Sequence, residues 1–228
     1  TRVRAMDPDG ERSFEARERA LAARTGEYTK LLARLLEKRS AEAPRFAREV
    51  GARLRRLGFS KAALSVRPAE PTQGRDRPAV DPAPIPDAEL LFTPNAGEPA
   101  RSLRRIASGG ELSRVMLAIK SLMAERDRVC VLVFDEVDQG IGGAVGEEVG
   151  RMLRALSARC QILCITHLPL IAAHGTRHFV VAKSTTRGRT ATSVRPLAGK
   201  EREEEIARLL AGARVTPTTR RQARELLA

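Results

Sequence analysis

Six consecutive apolar residues at positions 129–134 are followed directly by two carboxylates, Asp135 and Glu136. A short apolar run without polar alternation predicts a strand of a parallel sheet that is buried on both faces. The two acids would then stand at the carboxyl end of that strand, which is where open α/β sheets place their ligands. This run therefore predicts an α/β fold with a candidate site at one sheet edge.

A second apolar run, at 161–167, ends in His167. Apolar residues between the two runs recur with helical spacing, which predicts a strand, a helix and a second strand in sequence. A right-handed crossover makes two such strands parallel. We therefore expect Asp135, Glu136 and His167 to emerge at the same edge of the sheet.

A serine and two glycines, Ser108, Gly109 and Gly110, precede a segment whose apolar residues have helical spacing at 110–124. Unpaired N–H groups and the positive end of the macrodipole make a helix start attractive to phosphate, and glycine lets a phosphate approach the backbone. The usual phosphate cradle, GxxxxGK followed by Ser or Thr, is absent from the 228 residues. This segment therefore predicts a phosphate contact without a complete nucleotide site.

The N-terminal third of the chain has helical composition. Between residues 11 and 43 it contains no proline, and apolar side chains recur every seven residues. This spacing is typical of one strand of a coiled coil, but a single amphipathic surface helix explains it equally well. Pro44 would begin a second helix that Gly58 ends. The repeat consists of Phe14, Leu21, Tyr28 and Leu35.

The remaining segments are shorter. Eight of the 13 prolines lie between Pro68 and Pro99, so this stretch is predicted to be loop with one strand inside it. Strands are predicted at 62–66 and 89–93, a hairpin joined through Gly188 at 179–182 and 190–195, and helices at 201–211 and 218–227.

The formal net charge of +13 indicates a polyanionic partner such as DNA, although a composition biased toward arginine would also produce it. With no Trp and one Tyr, stacking on single-stranded bases is disfavoured. The three cysteines lie in apolar runs without CxxC spacing, so we expect buried thiols and no thiolate-bound metal. No apolar stretch approaches the ~20 residues that span a bilayer, and we expect a cytoplasmic protein.

The acids after the first strand suit nucleotide hydrolysis. Asp135 could hold Mg²⁺, Glu136 could orient or deprotonate the attacking water, and His167 could donate a hydrogen bond to a γ-phosphate. Acids also follow strands simply because a turn begins there, and a lone histidine is often structural. The residues alone leave both interpretations open.

Taken together, the motifs resemble those of ABC-type ATPases. "SGGELSR" is similar to their signature motif, "VCVLVFDE" to the Walker B strand, "VDQGIGG" to the D-loop and "ITH" to the switch histidine. Longer stretches, including "LFTPNAGEPARSLRRIASGGELSRVMLAIKSLMA" and "CITHLPLIAAHG", resemble the C-terminal part of the RecN family of bacterial DNA repair proteins, which are relatives of SMC proteins. Ala107 stands where transporter ATPases usually carry leucine. Gln139 and Gly142 depart from the smaller residue and the serine expected in the D-loop.

The resemblance implies the α/β fold of the C-terminal half of an ABC/SMC-type P-loop ATPase head, with a parallel sheet, flanking helices and a helical signature subdomain. A returning coiled-coil arm and connector would occupy residues 1–57, and the head half residues 58–228. The implied cofactors are ATP and Mg²⁺. The implied partners are the N-terminal half of the head, which carries the P-loop, a second head in an ATP-dependent homodimer, and DNA.

The resemblance also implies a role for each matching residue. Those that bind the γ-phosphate held by the opposite head are Ser108, Gly109 and Gly110, and Glu111 takes the motif's polar fifth position. Asp135 would hold Mg²⁺, Glu136 would polarise water and His167 would contact the γ-phosphate. Asp138 and Gly140 would lie at the interface between heads.

The predicted function is that of an SMC-like ATPase of double-strand break repair, associated with the nucleoid, in which head pairing on ATP holds or bridges DNA. Without the P-loop, the chain alone is expected to be inactive. Two alternatives are a nucleotide-binding subunit of an ABC transporter, against which the arginine-rich arm argues, and a DNA-binding module that does not hydrolyse ATP.

Overall fold

The computed structural model describes residues 8–67, 85, 87–106, 108–186, 189–212 and 214–228. The chain divides into two compact units. One lies within Thr1–Arg48 and Leu64–Leu91, and the other within Glu49–Ala63 and Phe92–Ala228. The domain boundary after residue 57 stays a prediction. Ala107, Gly188 and most of the proline-rich loop lie outside the described residues.

The first element, α1, is a 49-residue helix, Pro8–Arg56. The prediction of a new helix at Pro44 is wrong, because α1 continues through this residue. Pro44 is exposed, so water can reach the carbonyl that loses its N–H partner. Much of the seven-residue repeat faces solvent in this chain: the exposed fractions are 58% for Phe14 and 40% for Leu21.

The carboxyl end of α1 closes as predicted, at Gly58. This glycine has φ +92°, in the left-handed region, and the N–H of Phe59 donates to the carbonyl of Leu54 at 3.1 Å. That bond spans the helix end and satisfies a carbonyl that the helix leaves open. Nearby, the buried carboxylate of Glu148 pairs with Arg56 of α1.

Three short strands form one sheet in the order β1–β2–β3. Two of them confirm the predicted strands at 62–66 and 89–93, the first with a shift of one residue. Their bounds are Ala63–Arg67 for β1, Glu89–Thr93 for β2 and Arg101–Ser102 for β3.

The predicted strand–helix–strand unit is confirmed, and a helix precedes it. β4 and β5 are parallel, with Phe134 opposite Cys164 in register, so both carboxyl ends lie at one edge. The elements are α2 (Gly109–Met123), β4 (Val131–Phe134), α3 (Gly143–Leu156), β5 (Gln161–Cys164) and α4 (Pro169–Ala173).

The expectation that these strands are buried on both faces is wrong. Phe134 is buried, but Val131 and Val133 are 45% and 62% exposed, and Leu163 on β5 is 48% exposed. These three side chains share one face by the period-two alternation of strands. Among the described residues, that apolar face is left open to solvent.

The C-terminal part begins with an antiparallel hairpin that confirms the prediction and exceeds it in length. Its strands are β6 (His178–Thr186) and β7 (Arg189–Leu197), and Phe179, Val181 and Val194 on one face are more than half exposed. The two predicted helices follow as α5 (Gly199–Ala211) and α6 (Pro217–Leu227), which pack through Ile206, Ala207 and Ala223.

The expectation of buried thiols is also wrong. Cys130 is exposed, and Cys160 and Cys164 are only partly buried. The reason is their position: Cys130 and Cys160 each stand one residue before a strand, and Cys164 is the last residue of β5, so none lies in the middle of the sheet. Across the described helices, none combines the length and apolar character that a membrane crossing requires.

Two glycine substitutions test the helix assignment with opposite signs. Gly58→Ala should destabilise the chain by about 1–2 kcal/mol, because an L-residue is strained at φ +92°. Gly26→Ala, inside α1 where a new Cβ meets nothing within 4 Å, should stabilise it by about 0.5–1 kcal/mol. The free energy of unfolding in urea measures both. Equal effects of the two variants would contradict the assignment of Gly58 as the helix end.

Candidate functional site

The candidate site centres on the start of α2. Ser108 is the N-cap residue, in an extended conformation, and its hydroxyl oxygen accepts a hydrogen bond from the N–H of Glu111 at 3.4 Å. Gly109 and Gly110 form the first turn. The sequence predicts unpaired N–H groups at this helix start, residues 108–110, but the Ser108 side chain caps one of them.

Gly109 and Gly110 allow close packing against the residues that follow β4. A Cβ on Gly109 would collide with the carboxylate of Glu136, and one on Gly110 would lie 2.7 Å from the Cβ of Gln139. Both neighbours belong to residues 135–140, which follow β4 and are called the acidic turn below. The two glycines are therefore required by the close packing of this turn, in addition to any approach of a phosphate to the backbone.

Arg114 holds the acidic turn against α2. Its guanidinium donates to the carbonyl of Gln139 at 2.8 Å and to that of Val137 at 3.3 Å, and lies 5.1 Å from the ring centroid of Phe59. Arg114 is only 7% exposed, and burial lowers its pKa, while Glu111 and Asp138 act in the opposite direction. Sequence reasoning missed this residue, although it closes the quoted motif "SGGELSR".

The predicted acids begin the acidic turn. The hydroxyl of Ser113 donates to the carbonyl of Asp135 at 2.7 Å, and the N–H of Glu136 donates to the Asp135 carboxylate at 2.9 Å. Glu136 has φ +56°. A residue other than glycine in this left-handed region is strained, and such strain is concentrated at functional sites.

Asp138 connects the acidic turn to the end of β5. This residue is 4% exposed, and its carboxylate accepts hydrogen bonds from the Thr166 hydroxyl at 2.6 Å and from the His167 N–H at 2.8 Å. The Nδ1 atom of His167 lies 3.0 Å from the same carboxylate, while the His167 side chain is 76% exposed. Asp138 therefore fixes the ring from one side and leaves the rest of it accessible.

The structure brings the predicted residues together in two groups. Glu136 lies against the helix start, whereas His167 is bonded to Asp138. The interface role of Asp138 stays a prediction, and its carboxylate is bonded within the chain to Thr166 and His167. Gly140 is exposed with φ +70°. Gly142 is the N-cap of α3 and, as a glycine, gives that helix no side-chain cap.

Cys164, at the end of β5, lies at the same sheet edge as the acids. Burial raises the pKa of the Cys164 thiol to about 12, with further contributions from Asp138 and Asp135. Within the described ranges, no group of three or more His, Cys, Asp or Glu side chains is placed to hold a metal ion. One carboxylate, such as that of Asp135, would be enough for a shared Mg²⁺ site, since Mg²⁺ commonly takes one or two carboxylates and completes its shell with phosphate and water.

The chain is 43% identical over 190 residues to the DNA repair protein RecN of Treponema pallidum, an alignment that covers 83% of this chain and 33% of that protein. It is 40% identical over 198 residues to RecN of Bacillus subtilis, covering 83% and 34%. This chain is a relative of RecN. It spans about a third of the length of the curated RecN proteins it matches. No family model matches it.

Among solved structures, the chain is similar to an Smc head domain with a coiled coil and joint from Pyrococcus yayanosii. The TM-score is 0.50 at 18% identity, over 92% of this chain and 40% of that one. This likeness concerns the fold, and it confirms the predicted α/β fold of an SMC-type head half. The coiled-coil arm predicted within residues 1–57 stays a prediction. In this RecN relative, the helix start and the acidic turn are therefore parts of a head-like fold.

Replacing the Asp138 carboxylate tests the link between the acidic turn and β5. Asp138→Asn keeps the shape of the side chain but removes its negative charge, which the Thr166 hydroxyl, the His167 N–H and the His167 ring all contact. The free energy of unfolding should therefore fall by about 1.5–3 kcal/mol. The exposed Glu225→Gln on α6 is the matched control and should change it by less than about 0.5 kcal/mol. A loss no larger than the control's would show that the carboxylate does not hold the two segments together.

Proposed function

We propose that this chain is the C-terminal part of an SMC-like ATPase that acts in DNA double-strand break repair. Pairing of two heads on ATP would hold or bridge DNA. The observation that supports this most directly is the arrangement of the site: a capped glycine-containing helix start, an Asp-Glu pair and an exposed histidine are connected through one turn. This arrangement occurs in a chain related to proteins named for DNA repair.

The nucleotide site would be completed by an N-terminal half of the same head that carries a P-loop. Two observations support this partner. The P-loop motif is absent from these 228 residues. The apolar faces of β4–β5 and of the β6–β7 hairpin are open, with Val133, Val181 and Val194 each more than 60% exposed. A second strand set packed on these faces would bury them.

In the paired state, the Ser108 hydroxyl and the Gly110 N–H would bind the γ-phosphate of ATP held by the opposite head. Glu136 would accept the proton of the attacking water, and the exposed side of the His167 ring would contact the γ-phosphate. Asp135 would contribute one carboxylate to Mg²⁺, which when bound neutralises phosphate charge. Asp138 would keep the His167 ring oriented.

DNA is the proposed macromolecular partner, and the nucleoid in the cytoplasm the proposed location. The net charge of +13 supports a polyanion. A DNA-binding protein of this kind would lose affinity steeply as salt rises, because each phosphate contact releases counterions. The long arm α1 supports the SMC-like architecture.

The role of Glu136 is tested in the full-length protein that carries this chain. Glu136→Gln should keep ATP binding and lower turnover by about 10²–10⁴-fold, because the general base is removed while the shape is kept. Steady-state ATP hydrolysis and nucleotide binding measure the two effects, with Glu225→Gln as control. Unchanged turnover would assign the base to another residue. The 228-residue chain alone is expected to show no turnover.

The role of the helix start in pairing is tested with Ser108→Arg. The long cation would block the position of the opposite head's γ-phosphate, so ATP-dependent pairing should be lost while each head still binds nucleotide. Ser40→Arg, on the exposed surface of α1, is the control for added charge. Light scattering with and without ATP measures pairing. Pairing that survives in Ser108→Arg would remove the helix start from the interface.

A further inference from the structure

The side chain of Gln139 occupies the helix start of α2. The N–H of Gly110 donates to the Gln139 side-chain oxygen at 3.3 Å, and the Ser108 hydroxyl lies 3.5 Å from the same oxygen. A backbone N–H can only donate, so the amide must present its oxygen here. Gln139 therefore already satisfies two of the groups that the proposed function assigns to phosphate.

The position of this oxygen is set by the backbone that carries it. The Gln139 N–H donates to the carbonyl of Glu136 at 2.9 Å, and the Gln139 carbonyl accepts from the buried guanidinium of Arg114 at 2.8 Å. Both bonds hold residue 139 next to the helix start. The packing is close, since a Cβ on Gly110 would lie 3.0 Å from the Gln139 oxygen.

A neutral amide oxygen and a phosphate oxygen satisfy a helix start by the same chemistry. Both accept hydrogen bonds from the N–H groups that the first turn leaves unpaired. The two cannot occupy the Gly110 N–H together, because that group makes one good hydrogen bond. A phosphate that enters must first displace the glutamine.

We propose that Gln139 is an internal ligand of the helix start, which the γ-phosphate of ATP displaces when two heads pair. The strength of this contact then sets the ATP concentration at which pairing occurs. The inference rests on the proposed function, because it needs a phosphate delivered by a second head. Gln139 is a positioning residue in this scheme and takes no part in the chemical step.

Two variants shift the competition in opposite directions. Gln139→Ala removes the internal ligand, so half-maximal pairing should need an ATP concentration about threefold to tenfold lower, the range expected for one hydrogen bond. Gln139→Glu places a negative charge at the positive end of the helix and opposes phosphate, so it should need more ATP than wild type. Gln222→Ala, an exposed glutamine on α6, is the matched control.

The measurement is light scattering of the full-length protein across an ATP titration, together with nucleotide affinity of unpaired heads, which should not change. Gln139→Ala that needs the same or more ATP would overturn the proposal, since a residue that helps pairing gives that result. A purely structural role would lower stability in both variants without moving the ATP requirement in opposite directions.

Amide hydrogen exchange of residues 108–112 without nucleotide separates this inference from the proposed function. Wild type should be protected at Gly110, and Gln139→Ala should exchange faster. Equal exchange would overturn the inference even if the heads pair on ATP. Faster exchange in a protein that never pairs on ATP would contradict the proposed function and the competition, and would leave Gln139 as a helix cap only.

Discussion

The burial of the Arg114 guanidinium is the interaction on which the site depends. Taking a charged group out of water costs several kcal/mol unless it is well bonded. The two carbonyls of the acidic turn and the face of Phe59 offset that cost, and they do so only if the turn keeps its path. The charge therefore selects one conformation of residues 135–140, and this conformation brings Gln139 and Glu136 to the start of α2.

Asp138 fixes the same turn from its other side. Its carboxylate holds the segment after β5, so the helix start, the acids and the histidine are connected through one six-residue turn. A displacement of the start of α2 would therefore shift the residues at the end of β5, because both segments are bonded to this turn. Arg114 and Asp138 are the two buried charged side chains that make this connection, in addition to the pairing of β4 with β5.

The local elements could be predicted because their signals are local. Apolar periodicity located α2 and the βαβ unit, and Gly58 marked a helix end that only a glycine forms easily.

The wrong predictions concern burial and tertiary contacts. The faces of β4 and β5 were expected to be covered, but coverage depends on what packs there, which periodicity does not report. Gln139 bonds to Arg114, 25 positions earlier in the sequence, and to Gly110, 29 positions earlier. No spacing rule predicts contacts between residues so far apart. Pro44 was expected to start a helix because proline lacks the N–H that a helix interior needs. That expectation took no account of the exposed position, where water can bond the carbonyl left without a partner.

The open face of β4 and β5 has a consequence for how such a chain behaves in solution. In the part of the chain that the structure describes, this short sheet has two strands and an open apolar face, and such a sheet adds strands readily, from its proper partner or from another copy. The stability of this segment is then linked to the concentration of whatever covers it, because a partner that binds only the folded form stabilises it by mass action. A full-length protein that carries its own covering segment supplies it within the same molecule, whereas the uncovered segment exposes an apolar face that favours aggregation over the native state.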